Sequence, residues 1–435
     1  MWNRAIESLP REHLDSVQLQ GLRATVTRVL SANTPLGQRL RHAGLTSAEE
    51  IASLDHVRHL PFTMKADLRD NYPFGLFAVP LHEVVRLHAS SGTRGKPTVV
   101  GYTRNDLAVW AEVMARCLVM AGVEPGMVVH NAYGYGLFTG GLGIHQGAEL
   151  LGCLVVPISG GLSDRQALLL RDFGGQVLCA TPSYALRIAE ALDAAGIDPR
   201  TLKLRIGIFG AEPWSEELRG ELERRLHLQA LDIYGLSEII GPGVAAECAE
   251  GRAGFHIHED HFLPEIIDPE TGDVLPLGEE GELVFTTLSK EALPLIRYRT
   301  GDISSLDVAP CACGRTLNRM SKIRGRHDDM LIIRGVNLYP SEIERVLLAA
   351  GGVSPHYQIV VDRPGALDEL TVLCEPASAD QDRGDLQARL SRVLYEATGL
   401  SILIDVLEQN SVPRSEGKAV RVIDRRTQAR VAAQA

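Results

Sequence analysis

Apolar side chains at Leu22, Val26, Val29 and Leu30 recur at the spacing of one helical face, so residues 12–30 are expected to form a helix. From about residue 105 the pattern changes. Short apolar runs at 127–130, 153–158, 176–180, 205–209 and 230–234 alternate with helical segments at 105–121, 163–173, 183–195 and 215–226. Strands without polar alternation, separated by helices, predict a parallel sheet covered on both faces. Over 254–305 the helical spacing disappears, and turns such as Pro269-Glu270-Thr271-Gly272-Asp273 separate strand-like runs such as Glu282-Leu283-Val284-Phe285; an antiparallel region is expected there. A smaller unit follows, with a strand at 330–334, a helix at 341–350, strands near 357–362 and 369–374, a helix at 383–397 and a strand at 402–407. The expected fold is α/β: a large N-terminal domain of parallel βα layers plus an antiparallel region over 1–326, and a small α+β C-terminal domain over 327–435.

With 435 residues, 45% hydrophobic and 23% charged, the chain has the profile of a folded protein of two or three domains. The net charge of -11 argues against a general binder of nucleic acid or anionic membrane. Met1-Trp2-Asn3-Arg4 leads straight into polar sequence, and no run approaches a membrane span, so a cytoplasmic protein is expected. Of seven cysteines, Cys117, Cys153, Cys179 and Cys374 sit singly in apolar runs and read as reduced core thiols.

Ser90-Ser91-Gly92-Thr93-Arg94-Gly95-Lys96-Pro97 lies between two β-type runs and offers hydroxyls, amides and cations that can wrap phosphate oxygens. A hairpin turn would also favour these glycines. A Walker-type loop does not fit, because Gly92 and Gly95 are two residues apart and Pro97 follows Lys96. Tyr234-Gly235-Leu236-Ser237-Glu238 presents an aromatic ring and a carboxylate suited to Mg²⁺, and Asp302, after Tyr298-Arg299-Thr300-Gly301, can accept both hydroxyls of a ribose. Between 315 and 334 six basic residues outnumber two acidic ones, an excess that an anionic ligand would explain, with Arg326 the best single candidate to meet its phosphate, whereas Arg315 and Arg319 are expected on a solvated face. Pro413-Arg414-Ser415-Glu416-Gly417-Lys418 ends in an isolated lysine on a loop. Cys311 and Cys313, with Cys248 and His256, can supply a closed Cys₃His site for structural Zn²⁺, His258 being the alternative fourth ligand.

The order and spacing of these segments resembles the adenylate-forming superfamily, and more closely the phenylacetate-CoA ligase family. Tyr72–Pro80, His88–Thr93, Tyr133–Gly143, Phe209–Trp214 and Asp329–Asn337 carry the closer likeness. The resemblance implies activation of a carboxylic acid by ATP to an acyl-adenylate, then transfer to coenzyme A, with a small domain that turns between the steps. It assigns Ser90, Ser91, Thr93 and Lys96, with Gly92 and Gly95, to the β- and γ-phosphates, and Glu238 to Mg²⁺. Asp302 falls to the ribose, Gly210, Ala211 and Glu212 to the adenine site, and Tyr234, with Gly235 and Ser237, to the base. Lys418 is implied as the catalytic bridge between carboxylate and α-phosphate, Asp328 as the hinge, and Gly335 as a neighbour of the pantetheine channel. Arg94 departs from the usual threonine of the phosphate loop.

The segment 133–143 holds five glycines, two tyrosines and a phenylalanine, a composition that makes room for a flat ring. Tyr133, Tyr135, Phe138, Gly140, Gly141 and Ala211 are the pocket candidates. The expected substrate is an aromatic acid: phenylacetate, a benzoate or anthranilate. Alternatives are transfer of the acyl group to a carrier protein, amine or hydroxyl, or a silent nucleotide- or zinc-binding scaffold. Dimers occur in the family, so a homodimer is possible by resemblance.

Overall fold

The computed structural model describes residues 1–90, 97–334, 336–364 and 367–426. The parallel strands fall where the apolar runs predict them: Val128–Asn131, Leu154–Val156, Val177–Ala180, Ile206–Gly210 and Gln229–Leu236. They form one half of a nine-stranded sheet, which continues through the antiparallel strands Gly241–Ala246, Phe255–Ile257, Arg319–Met320 and Leu306–Asp307. Alternation along each strand feeds two cores. Val177 and Cys179 pack with Trp110, Met114 and Ile144 on one face, while Leu178 and Ala180 pack with Leu170, Leu186 and Leu222 on the other.

The helix Thr139–Leu151 is rich in glycine, a poor helix former, yet it is well built. Its glycines allow close approach to the helix Arg104–Met120. A Cβ on Gly143 would lie 2.7 Å from the Trp110 ring, and one on Gly147 2.3 Å from Cβ of Met114.

Strands Phe262–Ile267, Gly281–Thr287, Tyr298–Ser304 and Gly325–Arg326 form a four-stranded antiparallel sheet, as the 254–305 pattern predicts. Beyond it, the hairpin Leu331–Ile333 and Val336–Leu338 leads into a four-stranded sheet of Leu403–Val406, Glu369–Pro376, Val353–Asp362 and Val422–Asp424, with helices Pro340–Ala350 and Arg383–Thr398. This small unit has its own core around Ile343, Ile359, Val372 and Leu390.

Two expectations are corrected. Arg315 and Arg319 are buried rather than solvated. The Nε of Arg315 donates to the buried carboxylate of Glu7 at 2.5 Å, which ties the N-terminal segment to this loop, and Arg319 reaches Asp307 and the carbonyl of Ala253. Among the core cysteines, Cys117, Cys179 and Cys374 are buried, but Cys153 is only half-buried because it follows the helix end at Gly152 at the sheet's edge. No helix among the described residues is long and apolar enough to cross a membrane.

Candidate active site

The parallel strands end on one side of the sheet, where loops after successive strands converge and doubly wound folds bind their ligands. Asn131, Ala180, Gly210 and Tyr234 mark that edge. Gly210 and Gly235 are required by neighbouring backbone: a Cβ on either would lie within 2.2 Å of a carbonyl oxygen, that of Ile233 or of Gly241. Ala211 takes φ of +71°, a region that side-chain-bearing residues rarely adopt, and turns the chain so that Glu212 faces the small domain.

Two cavities meet at Lys418. One, of about 130 Å³, is lined by Ala211, Trp214, Tyr234, Asp302, Arg326 and Lys418. The other, of about 440 Å³, is lined by Ser90, Tyr133, Phe138, Tyr184, Gly160 and Lys418. Lys418 thus belongs to both walls, although it is carried by the small domain. The residue as a whole is exposed along the open cleft, and the protein groups around its side chain still desolvate it. Burial lowers its pKa, attraction from Glu212 and Asp302 opposes the shift, and repulsion from Arg326 and Lys65 adds to it.

In the smaller cavity the hydroxyl of Tyr234 donates to Oδ2 of Asp302 at 2.6 Å, and Nη1 of Arg326 donates to Oδ1 at 3.2 Å. Asp302 and Arg326 are cross-strand partners, so the sheet fixes their approach. Glu238 is buried, with Nζ of Lys65 3.8 Å away. The hydroxyl of Ser237 is 3.0 Å from that of Thr139. Both carboxylate oxygens of Glu212 hold backbone amides: Oε1 accepts from Ser183 at 2.7 Å and Oε2 from Ala419 at 2.8 Å.

Of the pocket candidates, Tyr133 and Phe138 line the larger cavity. The Tyr133 side chain is buried. Gly140 and Gly141 do not line this cavity; they lie buried in the first turn of the helix Thr139–Leu151, against Phe138, Gly134 and Tyr135. Tyr135 is likewise absent from the wall, its hydroxyl accepting from Asn131 at 2.8 Å and lying 3.1 Å from Nδ1 of His145. Ala211 lies in the smaller cavity instead. The N–H of Thr98 donates to the Ser90 hydroxyl at 3.3 Å. Ser91, Gly92, Thr93, Arg94, Gly95, Lys96 and Gly335 lie outside the described residues, as does the side chain of Asp328, whose backbone is in the short turn His327–Asp329.

Sequence reading missed Lys65, Thr181, Ser183 and Trp214. Lys65 opens a short helix far from any motif, and Thr181-Pro182 reads only as a helix start; Trp214 was noticed as part of a motif without a role.

At the antiparallel end of the nine-stranded sheet, Cys248, His256, Cys311 and Cys313 bring their ligand atoms within 4.8 Å of one another. The sulfurs of Cys248 and Cys311 are 3.6 Å apart, close to the ~3.8 Å edge of a tetrahedron with ~2.3 Å zinc–sulfur bonds. The Nδ1 of His256 is 3.3 Å from the carbonyl of Leu317, which directs Nε2 to Cys313 at 3.3 Å. Hydrogen bonds from Cys248, His256 and Arg315 lower the Cys313 thiol against its burial. These donors fit a tetrahedral soft-metal site. His258 is not part of the cluster; its Nε2 is 3.3 Å from Cys117 instead.

A strand-end cleft closed by a separate α+β unit that inserts a lysine is the architecture of adenylate-forming enzymes. The chain superposes on 2-hydroxyisobutyryl-CoA ligase in the postadenylation state, in complex with 2-HIB-AMP, with a TM-score of 0.92 at 28% identity over 99% of this chain and 93% of that one. Against the same enzyme in the thioesterification state with 2-HIB-AMP and CoA the TM-score is 0.72. The AMP-binding enzyme family matches residues 80–289, and the AMP-binding enzyme C-terminal domain matches 335–426. The phenylacetate-coenzyme A ligase of Thermus thermophilus is 51% identical over 98% of this chain and all of its own length, and that of Escherichia coli K12 is 49% identical over 97% of both. The chain belongs to the phenylacetate-CoA ligase family of AMP-binding enzymes. It is a ligase that activates an acid with ATP and joins it to coenzyme A.

Proposed function

We propose that the acid is aromatic, of the phenylacetate type, with benzoate and anthranilate as related candidates. The observation that carries this reading is Lys418 at the junction of two cavities, one with a carboxylate, an arginine and a tyrosine hydroxyl, the other with Tyr133, Phe138 and Tyr184. The names of the curated relatives support the same substrate class.

In this reading a ring lies against Tyr133 and Phe138, with its carboxylate toward Lys418. Asp302 takes the ribose hydroxyls, oriented by Tyr234 and Arg326, while Ala211 and Gly210 flank the base. The carboxylate oxygen attacks the α-phosphorus, and pyrophosphate leaves. The lysine ammonium supplies charge to both anions as they approach, and the geometry lowers the cost of bringing them together. Glu238 would hold Mg²⁺, which would neutralise charge on the phosphates. Ser90 through Lys96 would cradle the β- and γ-phosphates, and Gly335 would flank the pantetheine path. The domain boundary falls at 326/327, with Asp328 as the hinge, and the thiol of coenzyme A displaces AMP after the small domain turns.

Cys248, His256, Cys311 and Cys313 would hold structural Zn²⁺, the closed ligand set leaving no position for a substrate. A panel of aromatic acids with ATP, with and without CoA, tests the function. The expected result is AMP and an aryl thioester only when CoA is present, with phenylacetate among the best acids. Adenylate formation with thioester only on a carrier protein would favour the alternative acceptor, and turnover restricted to short aliphatic acids would overturn the aromatic reading.

A further inference from the structure

We propose that Thr181 and Glu212 are positioning residues for adenylation: they clamp the backbone on either side of Lys418, a role that rests on Lys418 acting as described above. The hydroxyl of Thr181 donates to the carbonyl of Gly417 at 2.9 Å while accepting the N–H of Tyr184 at 3.2 Å. Its rotation is therefore fixed by the helix that it caps. Glu212 joins two backbone amides, Ser183 from the large domain and Ala419 from the small one. The residue before Lys418 and the residue after it are thus each bonded to the large domain.

A third contact closes the seat. A Cβ on Gly160 would come within 3.0 Å of the carbonyl oxygen of Glu416, so the bare backbone at 160 lets the loop descend. Within the loop, the Ser415 hydroxyl holds the carbonyls of Gly417 and Lys418 at 2.8 and 2.9 Å. A lysine on a four-carbon stem has little orientation of its own, and a misplaced ammonium weakens the charge stabilisation on which the first step depends.

Both clamp bonds cross between domains, so turning the small domain breaks them. The greater likeness to the postadenylation than to the thioesterification state of 2-hydroxyisobutyryl-CoA ligase matches this arrangement to the lid position held before thioester formation. Glu212 thus docks the lid from the wall of the smaller cavity, both its oxygens being engaged by backbone amides.

The test separates the half-reactions. Pyrophosphate exchange with ATP and an aromatic acid reports adenylation, and single-turnover reaction of a synthetic aryl-adenylate with CoA reports thioester formation. Thr181→Val and Glu212→Gln should lower exchange kcat by about tenfold or more, with both KM values within about threefold of wild type. Thioester formation by Thr181→Val should stay within about twofold, and Thr181→Ser, which keeps the hydroxyl, should restore exchange. In ligand-free Glu212→Ala the amide hydrogen of Ala419 should exchange faster than in wild type, while that of Ile359 in the small domain's sheet should not. Equal loss in both half-reactions, a raised KM for ATP at unchanged kcat, or an unaltered Ala419 amide would overturn the clamp. Should wild-type enzyme exchange pyrophosphate with no aromatic acid, the aromatic reading fails, and the Ala419 amide alone then decides the clamp.

Discussion

Replacing Glu7 by alanine would leave the guanidinium of Arg315 buried without its anion. The carboxylate of Glu7 also accepts the N–H of Asn3 at 2.7 Å, so its loss frees the first turn of the chain as well. Breaking a buried ion pair from one side costs about 3–5 kcal/mol, and chemical denaturation should show a loss in that range. A loss below about 1 kcal/mol would place the pair among weak surface contacts. Burial holds the Lys418 pKa below that of an ordinary lysine, so free enzyme loses the ammonium that the proposed mechanism uses at a lower pH than usual. Adenylation kcat/KM should fall as pH rises, earlier than for a solvated lysine, and Lys418→Arg should move that limb upward. An alkaline limb identical in the arginine variant would assign it to another group. Asp302 and Lys418, which the structure places on the cavity walls, stand out in sequence because each directly follows a glycine in a short motif. Thr181 was not, since a threonine before proline is common at helix starts, and what distinguishes it is a carbonyl 236 residues away.

The loop that carries Cys311 and Cys313 also carries Arg315, Thr316 and Asn318, which bond to Glu7, Leu9 and Glu259. Metal binding there would fix the platform on which the N-terminal segment docks. Elemental analysis should find about one zinc per chain, and chelation should lower the melting temperature and expose the N-terminal segment to protease. Metal-free protein whose melting is indifferent to chelator and to Cys313→Ser would remove zinc from the account. The parallel strands were readable because burial on both faces leaves uninterrupted apolar runs. The helix Thr139–Leu151 was obscured by its glycines, whose use depends on how closely Trp110 and Met114 approach. Val422–Asp424 escaped notice for another reason: three half-buried residues are too few to show a period, and only pairing beside Ile359–Val361 makes them a strand.

The two domains meet along a polar seam as well as at the clamp. Nε2 of His356 donates to Glu190 at 2.7 Å, Arg414 approaches the same carboxylate at 3.3 Å, and Glu344 accepts the N–H of Ser215 at 2.9 Å. Burial would raise the Glu190 pKa, but the His356 hydrogen bond and the charges of His356 and Arg414 bring it down to about 2. A carboxylate whose folded pKa lies below the unfolded ~4.3 contributes fully above that pH, and the contribution is lost on falling toward 2. His356 acts in the same direction, because burial lowers its pKa and the unfolded chain takes up the proton first. The wild-type melting temperature should therefore drop more steeply between about pH 4 and 2 than that of Glu190→Gln. Parallel profiles would mean that the seam does not sense this carboxylate. The two-domain plan was readable in the changing periodicity, whereas the way the domains dock was not, because His356, Glu190 and Arg414 are ordinary surface types until the fold brings them together.

The central claim is that the small domain delivers Lys418 to the point where acid and nucleotide meet. Rapid-quench measurement of adenylate formation by Lys418→Ala, beside thioester formation from a synthetic aryl-adenylate, tests it most directly. The account predicts a fall of about 10²–10³ in the first rate, the scale for removing one preorganised charge donor, with the second nearly unchanged. Adenylate formation at the wild-type rate would contradict it.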